Sequence, residues 1–133
     1  MILLDTHTLI WLDQGNGKLG ERARAQIDAA LQENELAVSA ISFWETGMLI
    51  DKGRLIFSVD PHAWRHDLLR ANLREIPVDG NIAINSTRLN NFPGDPADRL
   101  IAATAMQHSA ALVTADEQLL GWYGPLNKID ARR

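Results

Sequence analysis

The 133-residue chain has no cysteine. This excludes disulfides and thiolate metal sites, and it is compatible with a cytoplasmic home. Long apolar runs are missing too. No stretch approaches the roughly 20 residues that a membrane span needs, and "MILLD" at the N-terminus has no basic segment before its apolar residues. Neither a signal peptide nor a membrane partner is expected. A strong excess of charge of either sign is missing: the formal net charge is -4. That is unsuited to holding nucleic acid by bulk positive charge, although it leaves room for a local basic groove. No Ser-His-Asp set is visible. "GNGKLG" is no phosphate loop, because it lacks the nucleotide-binding spacing and does not join a strand to a helix.

The residues present suit a real core, with 46% hydrophobic. The length fits one domain over residues 1–133. "MILL" is a short continuous apolar run and reads as a buried strand. "ELAVS", "REIPV" and "AALVTA" read likewise, with "NKID" a possible last strand; Pro77 weakens "REIPV". Between them lie helical segments. "THTLIWLDQ" is short. "ERARAQIDAALQEN" carries Ala23, Ile27, Ala30 and Leu31 at helical spacing. "AISFWETGMLIDKG" stops at Gly53, and Pro61 opens "HAWRHDLLRAN". "GNIAINSTRL", "PADRLIAATAMQHS" and "DEQLLGWYG" follow. Strands alternating with helices predict an α/β fold, an open parallel sheet of four or five strands with helices on both faces. Ligands of such sheets bind at the carboxyl ends of the strands.

Acidic residues gather at those ends. Asp5 follows the first strand, and Asp116 follows "LVTA". Asp95 and Asp98 flank Pro96 at the start of a helix, and Glu45 sits in an apolar helix among Ile41, Phe43, Trp44, Met48 and Leu49. Each has an ordinary structural reading. Asp5, Asp95 and Asp116 suit N-caps, Asp98 suits a first helical turn, and Ser42 with Glu45 matches a capping box. Taken together they strain that reading. Strand ends and the helix starts after them share one edge of a parallel fold, and Asp5, Glu45, Asp98 and Asp116 there repel unless a cation lies between them. An all-oxygen set suits Mg²⁺ or Mn²⁺, which can activate water against a phosphodiester.

Other residues fit bland roles better. His7 suits a structural or solvent role, since hard cations prefer oxygen. Trp11, Trp44, Trp64 and Trp122 suit the core, though an exposed one could stack a base. Lys52 and Arg54, with Arg65, Arg70 and Arg74, are candidates for contact with a phosphate backbone; the alternative is a solvated face. Arg99 is expected to pair with a nearby carboxylate.

"LLDTHTLIW", "SAISFWE", "GDPADRLIAATA" and "LVTADEQLLGW", in this order, resemble the PIN-domain ribonucleases and, within them, the VapC-type toxins of bacterial toxin–antitoxin pairs. The resemblance covers nearly the whole chain; "DPADRLIAATA" followed by "LVTAD" is its most specific part. It implies a PIN-like sheet and a catalytic set of Asp5, Glu45, Asp98 and Asp116, with Asp5, Asp98 and Asp116 holding Mg²⁺ or Mn²⁺. Asp95 then becomes a helix cap or supporting acid, and Thr6 and Thr114 flank the pocket. Many relatives carry a large aromatic residue where this chain has Ala97. The resemblance further implies an endoribonuclease acting in the cytoplasm, a homodimer, and a cognate antitoxin through which alone operator DNA would be bound. Two alternatives stay open: a catalytically silent PIN-like binding module, and a metal-dependent DNA nuclease.

Overall fold

A computed structural model describes residues 1–133. The chain runs β1 (Ile2–Leu4), α1 (Thr6–Gln14), α2 (Glu21–Gln32), β2 (Leu36–Ser39), α3 (Ile41–Asp51) and α4 (Pro61–Arg70). It continues through β3 (Arg74–Ile76), α5 (Gly80–Ser86), α6 (Pro96–Gln107), β4 (Ala111–Thr114), α7 (Glu117–Leu120) and β5 (Asn127–Asp130). The five strands form one sheet in the order β3-β2-β1-β4-β5, and every pairing is parallel.

Strand side chains alternate between faces, so two apolar layers arise from adjacent residues. Leu3 is in register with Ala37 and Leu112, and all three pack on one face with Ile82 of α5 and Ile101 of α6. Leu4 is in register with Val38 and Val113, and these pack on the other face with Leu9 of α1, Ile27 of α2 and Trp64 of α4. Both faces being covered explains why β1 is apolar without alternation. Helix α3 serves both layers: Ile41 packs against one and Phe43 against the other. On α6 the buried side chains at 102, 103 and 105 are all alanine, which lets that helix lie close to the sheet.

The chain moves outward from β1 through β2 to β3, then returns to the opposite side of β1 for β4 and β5. The sheet therefore reverses its winding between β1 and β4, the place where ligand crevices form in open α/β sheets. The two strands stay joined past their ends. The Asp5 N–H donates to the Val113 carbonyl at 3.1 Å, and Thr8 Oγ1 donates to the same oxygen at 3.0 Å.

Each expected element is present, with one boundary moved. Helix α5 ends at Ser86 instead of running on through Leu89. The hydroxyls of Ser86 and Thr87 donate back to the carbonyls of Ala83 and Ile84, both at 2.7 Å. Such local bonds compete with continuation of the helix.

Leu4 is fully buried in the central strand. Leu4→Ala should cost about 2–5 kcal/mol, read as a lower urea midpoint with an unchanged slope.

Candidate active site

Helix starts place the acids. Asp5 leaves β1 in an extended conformation and caps α1, its Oδ1 accepting from the Thr8 N–H at 2.8 Å. Asp116 caps α7 in the same way, accepting from Gln118 N–H at 2.8 Å and Leu119 N–H at 3.4 Å. The turn that delivers it is set by Thr114, whose Oγ1 accepts from the Asp116 N–H at 3.1 Å. Asp95 and Asp98 form a reciprocal capping box around Pro96. Asp95 Oδ1 accepts from the Asp98 N–H at 2.9 Å, and Asp98 Oδ2 accepts from the Asp95 N–H at 3.3 Å. Each of these carboxylates gives one oxygen to a helix N-terminus, which fixes its side chain, and keeps a second oxygen for a ligand.

Glu45 is held differently. It lies on the second turn of α3, past the reach of the capping box that Ser42 and Glu45 suggest, because the helix starts at Ile41 with Ala40 as its cap. Thr6 Oγ1 donates to Glu45 Oε1 at 2.5 Å and lies 2.9 Å from Ser42 Oγ. Thr6 and Ser42 are buried, so this short chain of hydroxyls orients the Glu45 carboxylate from below.

These residues line a pocket of about 390 Å³ together with His7, Trp11 and Ala115. Glu45, Asp95 and Asp98 bring one oxygen each within 4.8 Å of one another, while Asp5 and Asp116 complete the wall. Asp95 is thus both a helix cap and part of the tightest convergence of acids. His7 and Trp11 add a lip that residue-by-residue reading underrates. Their i, i+4 spacing on α1 is the signal that puts them on one face.

Crowding shows in the ionisation of two groups. Burial raises the Glu45 pKa, opposed by the Thr6 hydrogen bond and reinforced by the charges of Asp95 and Asp5. Burial and then the Asp95 charge push Asp98 up to about 7, with Glu45 and Asp116 adding to the rise. Gly94 makes the Asp98 position possible. A Cβ there would lie 2.6 Å from Asp98 Cβ and 2.6 Å from the Phe92 ring.

The donor set fits a hard divalent cation. Five carboxylates and the Thr6 hydroxyl supply oxygen ligands around the pocket, with His7 the one nitrogen donor in its lining. An octahedral ion with 2.0–2.1 Å bonds spans opposite ligands about 4.2 Å apart, so the 4.8 Å grouping needs only small side-chain adjustments.

Arg99, Lys52 and Arg54 do not line the pocket. Arg99 pairs with no carboxylate: its Nη1 donates to the Ser86 carbonyl at 3.3 Å, and its guanidinium lies 5.5 Å from the Phe92 ring. Adjacent helical residues point about 100° apart, so with Asp98 facing the pocket its neighbour turns toward α5. Lys52 and Arg54 follow the far end of α3, seven and nine residues beyond Glu45. Two helical turns carry the chain about 11 Å along that axis.

Comparison with known proteins agrees with this architecture. The family model of the PIN domain matches residues 2–121. Ribonuclease VapC22 of Mycobacterium tuberculosis (strain ATCC 25618 / H37Rv) is 36% identical over 119 residues, 89% of this chain and 88% of that protein. Among solved structures, VapBC2 from Rickettsia felis, bound to a DNA fragment from its promoter, is similar with a TM-score of 0.72 and 18% identity, over 97% of this chain and 98% of that one. FitAcB from Neisseria gonorrhoeae gives a TM-score of 0.68 and 23% identity, over 98% of each chain. At these identities the structural likeness speaks for the fold. With the sheet order, the acid pocket at its winding reversal and a family match over most of its length, the chain belongs to the PIN-domain family.

Proposed function

We infer that this chain is a ribonuclease toxin, a metal-dependent endoribonuclease working as one unit over residues 1–133 and held in check by an antitoxin. The observation that carries the reading is the set of five acids around one pocket at the β1/β4 reversal. The identity to a ribonuclease over most of both chains supports it.

Asp5, Asp98 and Asp116 would hold Mg²⁺ or Mn²⁺, with Asp95 and Glu45, which converge with Asp98, beside them. When bound, the cation supplies Lewis-acid activation of water and neutralises charge on the phosphate. The chain's own residues do the rest. The cap bonds keep Asp5, Asp95 and Asp116 from swinging away, so the pocket is ordered before substrate arrives. Glu45, oriented by Thr6 and with a raised pKa, accepts a proton from the attacking water. The water oxygen bonds to phosphorus and the bond to the 3′-oxygen breaks. That oxygen takes a proton from solvent water and leaves as a hydroxyl, Glu45 returns its proton to solvent, and the phosphate stays on the 5′ side of the downstream fragment.

An RNA substrate places the work in the cytoplasm. An antitoxin guanidinium matches the pocket's charge and would pair with its carboxylates in the cation's place; operator DNA would be reached through that partner. Trp44, Ile56 and Val59 are 57%, 91% and 50% exposed. Apolar surface of this kind supports a homodimer.

Cleavage assays test the reading. Chelator should abolish cutting of single-stranded RNA, Mg²⁺ or Mn²⁺ should restore it, and DNA of the same sequence should stay intact. Asp5→Asn and Asp98→Asn should each lower activity by more than about 100-fold, whereas Asp95→Asn, which keeps the cap, should lose about 10–100-fold. Full activity in excess chelator would refute the metal role, and preferential DNA cleavage would refute the substrate.

Stability gives a second check. The Asp98 pKa rises from 3.8 to about 7 on folding, so between those values the folded chain binds more protons than the unfolded one. Metal-free stability must then fall as pH rises through that window. In chelator at pH 8, Asp98→Asn should be more stable than the parent by about 1–2 kcal/mol after solvent screening is discounted. The gain should vanish below pH 4. Saturating Mg²⁺ should stabilise the parent more than the variant.

A further inference from the structure

A second cleft is wider than the acid pocket. It has a volume of about 860 Å³ and lies between the segment after α5 and the turn after α7. Two strips of chain join it to the acid pocket. Asp116 lines the pocket and Gln118 the cleft; Asp95 lines the pocket and Pro93 the cleft. Residues two apart have Cα atoms at most about 7.6 Å from each other. That separation is within the reach of one nucleotide step of a single strand whose phosphate sits in the pocket.

One wall is a pinned turn. Lys128 Nζ donates to the carbonyls of Leu120 at 3.1 Å and Trp122 at 2.5 Å. Trp122 packs edge-on against Phe92 at 5.0 Å between ring centres, and its Nε1–H donates to the Asn90 carbonyl at 3.0 Å. The turn backbone lies against the indole, since a Cβ at Gly124 would come within 2.0 Å of that ring. With Trp122 turned inward, Tyr123 points out and its side chain is fully exposed. The pinned turn fixes where this ring is presented, and its open faces are available for a base to stack on.

The other walls suit a nucleotide. Asn91 and Gln118 are exposed and offer amide donors and acceptors for a base edge. Arg88, also exposed, offers a guanidinium for a phosphate. The one carboxylate in the lining, Glu117, is already paired with Arg132 at 2.9 Å. The lining thus favours an anion, although the chain as a whole is acidic.

We infer that this cleft binds one unstacked nucleotide of the RNA, next to the scissile phosphate. Its base stacks on Tyr123, its edge is read by Gln118 and Asn91, and its phosphate meets Arg88. The cleft selects where the strand is cut. This rests on the ribonuclease reading and deepens it by assigning a specificity site to residues outside the acid set.

Binding is tested without cleavage by titrating the metal-free chain with each ribonucleoside 5′-monophosphate while following the Trp122 indole N–H resonance. A saturable shift with one base preferred over the others, weakened in Tyr123→Ala and absent with inorganic phosphate, is expected. In Mg²⁺, Tyr123→Ala and Gln118→Ala should raise KM for an RNA oligonucleotide by roughly 5- to 100-fold or relax the choice of cut site, with kcat unchanged. If no nucleotide moves that resonance, or if both variants cut the same sites with the parent's KM, the inference is overturned. A parent chain that cuts no RNA would count against the ribonuclease reading, while the nucleotide titration still decides the cleft.

Discussion

Asp5, Asp95, Asp98 and Asp116 each accept a backbone N–H at the start of a helix. These bonds offset part of the repulsion that five acids around one pocket create. The offset is incomplete: Asp98 keeps a pKa far above the usual carboxylate range because its neighbours are charged and its surroundings are partly dry. The edge of the sheet is thus balanced between helix dipoles that favour negative charge and mutual repulsion that opposes it. A divalent cation would relieve that tension directly. The same bonds hold the site rigid, so structural capping and preorganisation come from the same atoms.

The sheet decides where that balance is set up. β1 and β4 are neighbours in space although more than a hundred residues separate them in the chain, and both end at the same edge. Asp5 leaves one strand and Asp116 follows the other. Helix α6 enters from above with Asp95 and Asp98 on its first turn, its buried alanines allowing a close seat on the sheet. Helix α3 contributes Glu45 because Thr6, one residue past Asp5, reaches across to it. Asp5, Asp95, Asp98 and Asp116 are fixed by their own helix starts and Glu45 by Thr6 of another helix, but the five meet only when the whole fold forms.

Helix α7 links this pocket to the wider cleft beside it. Within four residues it presents Asp116 as a cap on one side and Gln118 toward the other. Phe92 performs a similar double duty. Its ring supports Trp122 in the cleft and limits the space at Gly94 behind Asp98. Changes in the loop between α5 and α6 would therefore be felt at both places.

Much of this was legible in the linear chain. Continuous apolar runs marked the strands, and helical spacing with Pro61, Pro96 and Gly53 marked helix limits, because backbone propensity and alternation of faces are local properties. The N-cap chemistry of Asp5, Asp95 and Asp116 was local in the same sense. What tertiary structure alone decided was distance. Arg99 looked like a partner for an acid, but helix rotation and the Ser86 carbonyl took it elsewhere. Lys52 and Arg54, candidates for a phosphate backbone, follow the far end of α3 and do not line the pocket. Asp95 read as a cap, yet its carboxylate also converges with Glu45 and Asp98. The cleft of Tyr123 and Gln118 had no linear signature at all, since its walls come from segments some thirty residues apart. The sequence by itself determined which residues could cap, cross or bury. Which charges meet was decided by strand order and helix rotation, because electrostatic interaction depends on separation in space and not on separation along the chain.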